Sequence, residues 1–127
     1  MEQMSSTRWG LYPWFPEHGE TMIHPEDVVT VKSLMPSGKV FQVVGEDGDY
    51  LVLSYGELSF RAKPELFRSV ERPHKQIGDT VEVVSKGEQQ SAKVVEIHWH
   101  HQKNEPFYVL TINGKKSSKR YWNADFR

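Results

Sequence analysis

The sequence predicts an all-β protein made of two small barrels in tandem, and three observations support that prediction. Short runs rich in β-branched and aromatic residues recur from residue 28 onward. Glycine, asparagine or proline bounds most of these runs, as is typical of strands joined by tight turns. The same order of runs and turns occurs in residues 24–72 and again in residues 73–127. A repeat of roughly fifty residues with this texture indicates two copies of one small barrel.

The first 23 residues are predicted to form an extended arm that precedes the barrels. Residues 1–7 are polar and expected to be disordered, whereas residues 9–16 crowd aromatic rings around two prolines. Proline has no amide donor, so we expect this arm not to be an interior strand. Because so many rings would not remain in water, the arm should pack across one barrel or between the two. The alternative is a partner-binding patch.

The first barrel is predicted to begin with a β-branched strand at residues 28–31. The further strands of this half are expected at residues 39–44, 50–53, 58–61 and 68–70. Pro64 suits the first position of a helical turn. Residues 64–67 should therefore form one such turn before the last strand.

The second barrel repeats this order after a polar linker at residues 71–75, which Pro73 interrupts. Its strands are expected at residues 81–84, 91–100, 107–112 and, briefly, 119–121. Asn113 and Gly114 both tolerate positive φ and predict a tight turn between the last two strands. Residues 123–126 should repeat the helical turn of the first half.

The pattern in the first half resembles SH3-like small barrels of the Tudor and KOW kind. Residues 37–40, Ser-Gly-Lys-Val, precede residues 50–53, Tyr-Leu-Val-Leu, in the way that a glycine precedes a valine-bearing strand in KOW cores. The resemblance covers residues 24–127 and implies about five bent strands with a helical turn before the last. The second half departs from it, because residues 90–94 lack the glycine. The whole chain also resembles a small uncharacterised bacterial protein family.

The amino-acid composition limits the kinds of site and the cellular location that we expect for this protein. The 127 residues include no cysteine, which excludes disulfides and thiolate metal sites. No segment resembles a signal peptide or a membrane span, so a cytoplasmic protein is expected. Residues 93–127 carry a net charge of +4, and the remaining residues carry −5. This asymmetry predicts either a binding face or attraction between the two halves.

Two histidines, His98 and His100, are candidate metal ligands, because alternate residues of a strand point to one face. A site would need a third or fourth ligand, and the sequence does not indicate which residue supplies it. The simpler interpretation is a strand whose histidines face solvent or the other barrel. We therefore expect no metal and no cofactor.

Aromatic and basic residues of the second half are the candidate binding residues. Rings could form a cage for a methylated side chain, although a barrel this small also needs rings in its core. A basic run beside the turn at residues 113–114 could bind RNA, or it could protect a sheet edge from aggregation. The rings are Trp99, Tyr108, Tyr121 and Trp122, and the basic residues are Lys115, Lys116, Lys119 and Arg120.

Together these features predict a non-catalytic protein. No cysteine nucleophile, nucleophile elbow or phosphate-binding glycine loop occurs in the sequence. The expected role is binding of a protein or peptide through a groove between the barrels or through an aromatic rim. The alternative is RNA binding through the basic run, and a third possibility is a structural or immunity-type inhibitory protein.

Overall fold

The computed structural model describes residues 8–126 and divides the chain into two compact units, with the boundary between Arg72 and Pro73. Both units consist mainly of antiparallel strands, which confirms the predicted all-β class. The disorder expected for residues 1–7 lies outside the described residues. Within the described part of the chain, no helix is long and apolar enough to cross a membrane.

The first unit is a five-stranded antiparallel sheet with the spatial order β4-β3-β2-β1-β5. A tight turn at residues 48–49 joins β2 to β3, and residues 64–66 form a one-turn 3-10 helix before the last strand, where the sequence predicted a helical turn at residues 64–67. A register shift interrupts the pairing of β2 with β3 between Val43 and Gly45. The strands are β1 (Arg8–Leu11), β2 (Val40–Asp47), β3 (Tyr50–Tyr55), β4 (Leu58–Ala62) and β5 (Arg68–Val70).

The prediction that the arm would not supply an interior strand was wrong for residues 8–11. Strand β1 pairs with β2 on one side and with β5 on the other. The prolines did not prevent this, because Pro13 and Pro16 follow the strand and remove none of its donors. The expectation that the arm packs against the fold is confirmed, since Trp9 and Trp14 are buried.

The strand predicted at residues 28–31 is instead a helix, α1 (Val28–Leu34), so that prediction was also wrong. A 3-10 turn at Pro25–Asp27 leads directly into it. Val28 and Val31 lie one helical turn apart and are buried, whereas Val29 is exposed. Burying this stripe outweighs the preference of β-branched residues for strands, which is a weak preference in a short segment.

The core of the first unit joins the arm, α1 and the sheet. Tyr12 meets Phe60 edge to face at 6.2 Å, and Phe60 meets Phe41 in the same way at 5.3 Å. The Tyr12 hydroxyl donates a hydrogen bond to the Lys63 carbonyl at 2.7 Å. Burial raises the pKa of the Tyr12 hydroxyl, so this hydroxyl remains a donor. The core residues are Tyr12, Trp14, Ile23, Val28, Val31, Phe41, Leu51, Leu53, Phe60 and Ala62.

The second unit is a sheet with the order β10-β8-β7-β6, to which β9 adds by pairing with β8. Asn113 and Gly114 both have positive φ, which confirms the predicted turn. The strand expected at residues 119–121 begins only at Tyr121, and a 3-10 turn at Asn123–Asp125 follows it as predicted. The strands are β6 (Thr80–Ser85), β7 (Glu88–His100), β8 (Glu105–Ile112), β9 (Lys115–Lys116) and β10 (Tyr121–Trp122).

Neither sheet closes on itself by main-chain pairing within the described residues. The outermost strands of the first sheet, β4 and β5, are not hydrogen-bonded to each other, and neither are β10 and β6 of the second. The architecture is therefore two open antiparallel sheets, and in the first of them the segment around Ile23 covers part of the outer edge of β4 through a bridge to Ala62. This difference from the expected closed barrels leaves edge strands whose main-chain groups can bind another strand.

Candidate binding face of the second sheet

The outer face of the second sheet depends on a bulge in β7. Pairing with β8 shifts register between Val94 and Glu96. Before the bulge the even-numbered residues of β7 face the core, as the buried Val94 does. Beyond it the odd-numbered residues face the core, as the buried Ile97 does. Beyond it, Glu96, His98 and His100 all point outward. The prediction that the two histidines share a face is confirmed.

Four rings lie together on this outer face and are here called the aromatic row: His98, His100, Phe107 and Trp122. Phe107 of β8 pairs directly with His98 of β7 and with Trp122 of β10. The rings of His98 and Phe107 are stacked, with 5.2 Å between centroids and 12° between planes. Trp122 lies 5.6 Å from Phe107 and 5.5 Å from His100. The rings are partly exposed, so the row is a surface and not a second core.

Two cations lie against the aromatic row. The Lys103 ammonium is 4.4 Å from the centroid of Trp122, and the Arg120 guanidinium carbon is 4.5 Å from the centroid of Phe107. Each cation–π contact contributes on the order of 0.5–1 kcal/mol at an exposed site. Within the described residues neither cation forms an ion pair with a carboxylate. Neither cation is therefore paired with an acid of this face, on which Glu105 lies opposite His100.

Glu96 fixes one end of the row. Its carboxylate accepts a hydrogen bond from Lys116 Nζ at 2.5 Å, and its other oxygen lies 2.7 Å from His98 Nε2. The Lys116 hydrogen bond, followed by that of His98, holds the pKa of Glu96 below its usual value. His98 Nε2 is thus engaged by a carboxylate. Among residues 8–126 no group of three or more His, Asp or Glu side chains is arranged to hold a metal ion.

The four rings predicted to bind a ligand occupy different environments. Tyr108 and Tyr121 are 0% and 2% exposed, so they belong to the core and have no face free for a ligand. Trp99 points to the same side as the buried Ile97, away from the row. Only Trp122 lies on the outer face. Adjacent residues of a strand point in opposite directions, which is why Tyr121 and Trp122 separate as the sequence suggested.

A family model described as a family of unknown function, DUF6960, matches residues 1–127. The chain belongs to the DUF6960 family. No curated protein and no solved structure matches the chain.

The basic run of the DUF6960 chain is divided between surfaces. Lys116 pairs across from Thr111, whose other neighbour is Lys93, so these two lysines share the outer face with the aromatic row. Lys115 pairs across from Ile112 and points to the other side. The Lys119 ammonium lies 5.0 Å from the ring centroid of the buried Tyr121. Only Lys116 and Arg120 of the predicted basic residues reach the outer face.

Two residues of this face were not predicted from the sequence: Glu96 and Phe107. The alternation of side chains along β8 places Phe107 on the outer face, because its neighbours Pro106 and Tyr108 are buried on the other face. The position of Glu96 depends on the bulge, which strand periodicity does not reveal. Lys103 lies in the turn between β7 and β8, whose conformation decides which ring it covers.

A second apolar surface lies on the first unit of the DUF6960 chain. A groove of about 530 Å³ is bounded by Trp14, Val31 and two exposed residues, Phe15 and Met35, which are 46% and 69% exposed. Met35 has φ of 52°, in the left-handed region where glycine usually ends a helix. Lys39 at its edge is hydrogen-bonded to the Met35 carbonyl. The groove lacks a charge arrangement comparable to that of the aromatic row.

Proposed function

We propose that this protein is a non-catalytic binding module that recognises a protein or peptide through the aromatic row. The observation that carries the proposal is the pairing of partly exposed rings with two cations, Lys103 and Arg120, that have no carboxylate partner among the described residues. Interface hot spots are enriched in tryptophan and arginine, and interface cores are enriched in aromatic residues. The row combines these residue types on one sheet face.

The expected partner segment carries a carboxylate beside an apolar side chain. Its acid would pair with Arg120 or Lys103, while its apolar group would cover Phe107 and Trp122. Residues 73–127 contain nine Lys and Arg against six Asp and Glu, so this part of the chain attracts acidic partners at long range. Glu96 does not oppose this, because Lys116 and His98 already pair with it.

We further propose that the two units are diverged copies of one SH3-like small barrel. Support comes from the shared order of antiparallel strands followed by a 3-10 turn, and from register shifts at matching places, Val43/Gly45 and Val94/Glu96. This proposal concerns ancestry and fold, because a barrel fold of this kind does not by itself determine a ligand.

Peptide selection followed by solution titration tests the proposed function. Random twelve-residue peptides are selected on the purified chain, and each selected peptide is titrated by fluorescence anisotropy. Trp122→Ala and Arg120→Ala should each weaken binding about tenfold, as hot-spot truncation does. Met35→Ala, which removes an exposed apolar side chain from the first unit, is the matched control and should leave the affinity unchanged. Selected peptides that bind both sets of variants equally would contradict the proposal.

A second candidate function is binding of single-stranded nucleic acid, favoured by Lys93 and Lys116 on the same face as the rings. Lysines of this kind contact phosphates, and rings stack on bases. A labelled oligo(U) or oligo(dT) titration at 50 and 200 mM salt tests it. Binding that weakens steeply with salt and is lost in Lys93→Ala/Lys116→Ala would select this function in place of peptide binding.

A further inference from the structure

Strand β6 has a free edge in the described part of the chain. It pairs with β7 through six residue pairs, and no strand pairs with its other side. In the first unit the corresponding strand, β1, is paired on both sides, with β2 and with β5. Among residues 8–126, the second sheet therefore has no strand at the position that β5 occupies in the first sheet.

The two units can be aligned residue by residue at this position. The register shift after Val43 in β2 matches the shift after Val94 in β7. Counting back from these shifts, Gln42 and its partner Trp9 correspond to Lys93 and its partner Thr80. The same count matches Gly10 with Val81 and Leu11 with Glu82. The place of β5 in the first unit thus predicts the register of a strand beside β6.

The hairpin that follows β6 determines which main-chain groups are free. Lys86 and Gly87 have φ of 53° and 79°, as a two-residue turn of type I′ requires. Such a turn makes Ser85 and Glu88 a hydrogen-bonded pair. Hydrogen-bonded pairs alternate along an antiparallel ladder. The N–H and C=O groups of Thr80, Glu82 and Val84 therefore point toward the free edge.

We infer that the free edge of β6 is a strand-addition site for an extended segment of a partner protein, lying antiparallel to β6 as β5 lies along β1. Main-chain hydrogen bonds to Thr80, Glu82 and Val84 supply the contact, as in other cases of strand addition. This inference does not depend on the aromatic row, because it uses different residues on a different strand.

Charge and size define the incoming segment. In the first unit Arg68, Ser69 and Val70 pair with Leu11, Gly10 and Trp9. In the matching register the residue at the place of Arg68 faces Glu82, which forms no ion pair within the described residues. A basic residue there complements Glu82, and a β-branched residue suits the position opposite Thr80.

Comparison with the first unit also excludes an aromatic side chain at one position of the incoming segment. The Phe67 ring lies against Gly10, where an added Cβ would stand 2.3 Å from the ring. The matching residue of β6 is Val81, whose side chain is buried. A ring at the place of Phe67 would therefore collide with β6. The segment is thus basic, small and β-branched in sequence, preceded by a residue without an aromatic ring.

A titration followed by amide NMR tests the site. The probe is a capped synthetic peptide, Lys-Thr-Arg-Ser-Val-Thr-Val, added to the full chain. We expect saturable amide shifts and slowed hydrogen exchange at Thr80, Glu82 and Val84. The control peptide has proline in place of the valine that follows the serine, lacks the amide donor that faces the Thr80 carbonyl and should not bind. No saturable shift in β6, or equal shifts with both peptides, would overturn the inference, as would shifts confined to the aromatic row.

A charge exchange tests the register. Glu82→Lys should weaken binding of the probe about threefold or more, and a second peptide with glutamate in place of the arginine should recover it. Dispersed amide signals verify that the variant is folded. Equal binding of both peptides to both proteins would overturn the proposed register, whereas binding that follows the charge exchange supports it.

Discussion

The carboxylate of Asp27 and the guanidinium of Arg61 are joined by several hydrogen bonds across 34 residues of sequence. Asp27 Oδ2 accepts from Arg61 Nε at 2.9 Å and from the Arg61 main-chain N–H at 2.8 Å, and Oδ1 accepts from Nη2 at 3.2 Å. Asp27 immediately precedes α1, and Arg61 lies in β4. This interaction therefore connects the segment that contains the helix to the sheet of the first unit.

Substituting Asp27→Asn should destabilise the protein by about 2 kcal/mol at neutral pH, the usual range for hydrogen bonds to a charged group. Urea denaturation monitored by tryptophan fluorescence measures this. The matched control is Glu20→Gln, because the Glu20–Lys32 ion pair is largely exposed and should contribute little. Equal losses in the two variants would contradict the assigned role of Asp27.

The same pair predicts a pH dependence. The side-chain hydrogen bond from Arg61 holds the pKa of Asp27 below its ordinary value of 3.8. A carboxyl whose folded pKa is lowered contributes stability above its unfolded pKa, and that contribution is lost as the pH falls through the folded pKa. The stability difference between the native protein and Asp27→Asn should therefore be constant from pH 5 to 7 and shrink below about pH 4. A difference that grew on acidification would contradict this sign.

Gly10→Ala should destabilise the first unit by about 1–3 kcal/mol through overpacking. An added Cβ would lie 2.3 Å from the Phe67 ring and 2.5 Å from the Arg68 carbonyl oxygen, and the latter belongs to the paired strand β5. Gly45→Ala is the control, because it lies in β2 with open space around its added Cβ. Calorimetric melting should show a clear decrease for the first variant and little change for the second.

The sequence predicted the strands and turns well where short β-branched runs alternate with glycine or asparagine, as around Gly114. It failed where tertiary packing decides, as at Val28 and Val31, which form a helix because that places both side chains in the core. The candidate face was predicted in part, through Trp122, Arg120 and Lys116 as binding residues and through the shared face of His98 and His100. Its remaining residues depend on the β7 bulge and on cross-strand pairing, neither of which local periodicity reveals.

The two buried tryptophans of the arm differ in hydrogen bonding, which predicts different costs of substitution. Trp14 Nε1 donates to the Gly19 carbonyl at 3.0 Å, whereas Trp9 Nε1 is buried without an acceptor in the described residues. Trp14→Phe should cost about 1–2 kcal/mol more than Trp9→Phe, because it alone leaves a carbonyl without its donor. Urea denaturation of both variants measures the difference, and a larger loss in Trp9→Phe would contradict it.

Tyr108 and Tyr121 provide a similar comparison in the second unit. The Tyr108 hydroxyl donates to Asn123 Oδ1 at 2.5 Å and accepts from the His74 main-chain N–H at 3.0 Å. Burial raises the pKa of this hydroxyl, so it remains protonated and able to donate. No hydrogen bond joins the Tyr121 hydroxyl to any other described residue. Tyr108→Phe should therefore cost about 2 kcal/mol, and Tyr121→Phe less than about 1 kcal/mol.

Amide hydrogen exchange distinguishes this hydrogen-bond network from simple loss of packing. Tyr108→Phe removes the acceptor of the His74 amide, so exchange at His74 should accelerate more than exchange at Leu110, which lies in the core of the same sheet. Tyr121→Phe should leave the His74 amide unchanged. Uniform acceleration throughout the second unit in Tyr108→Phe would mean that the hydroxyl acts only through global stability, and that its contact with His74 adds no local constraint.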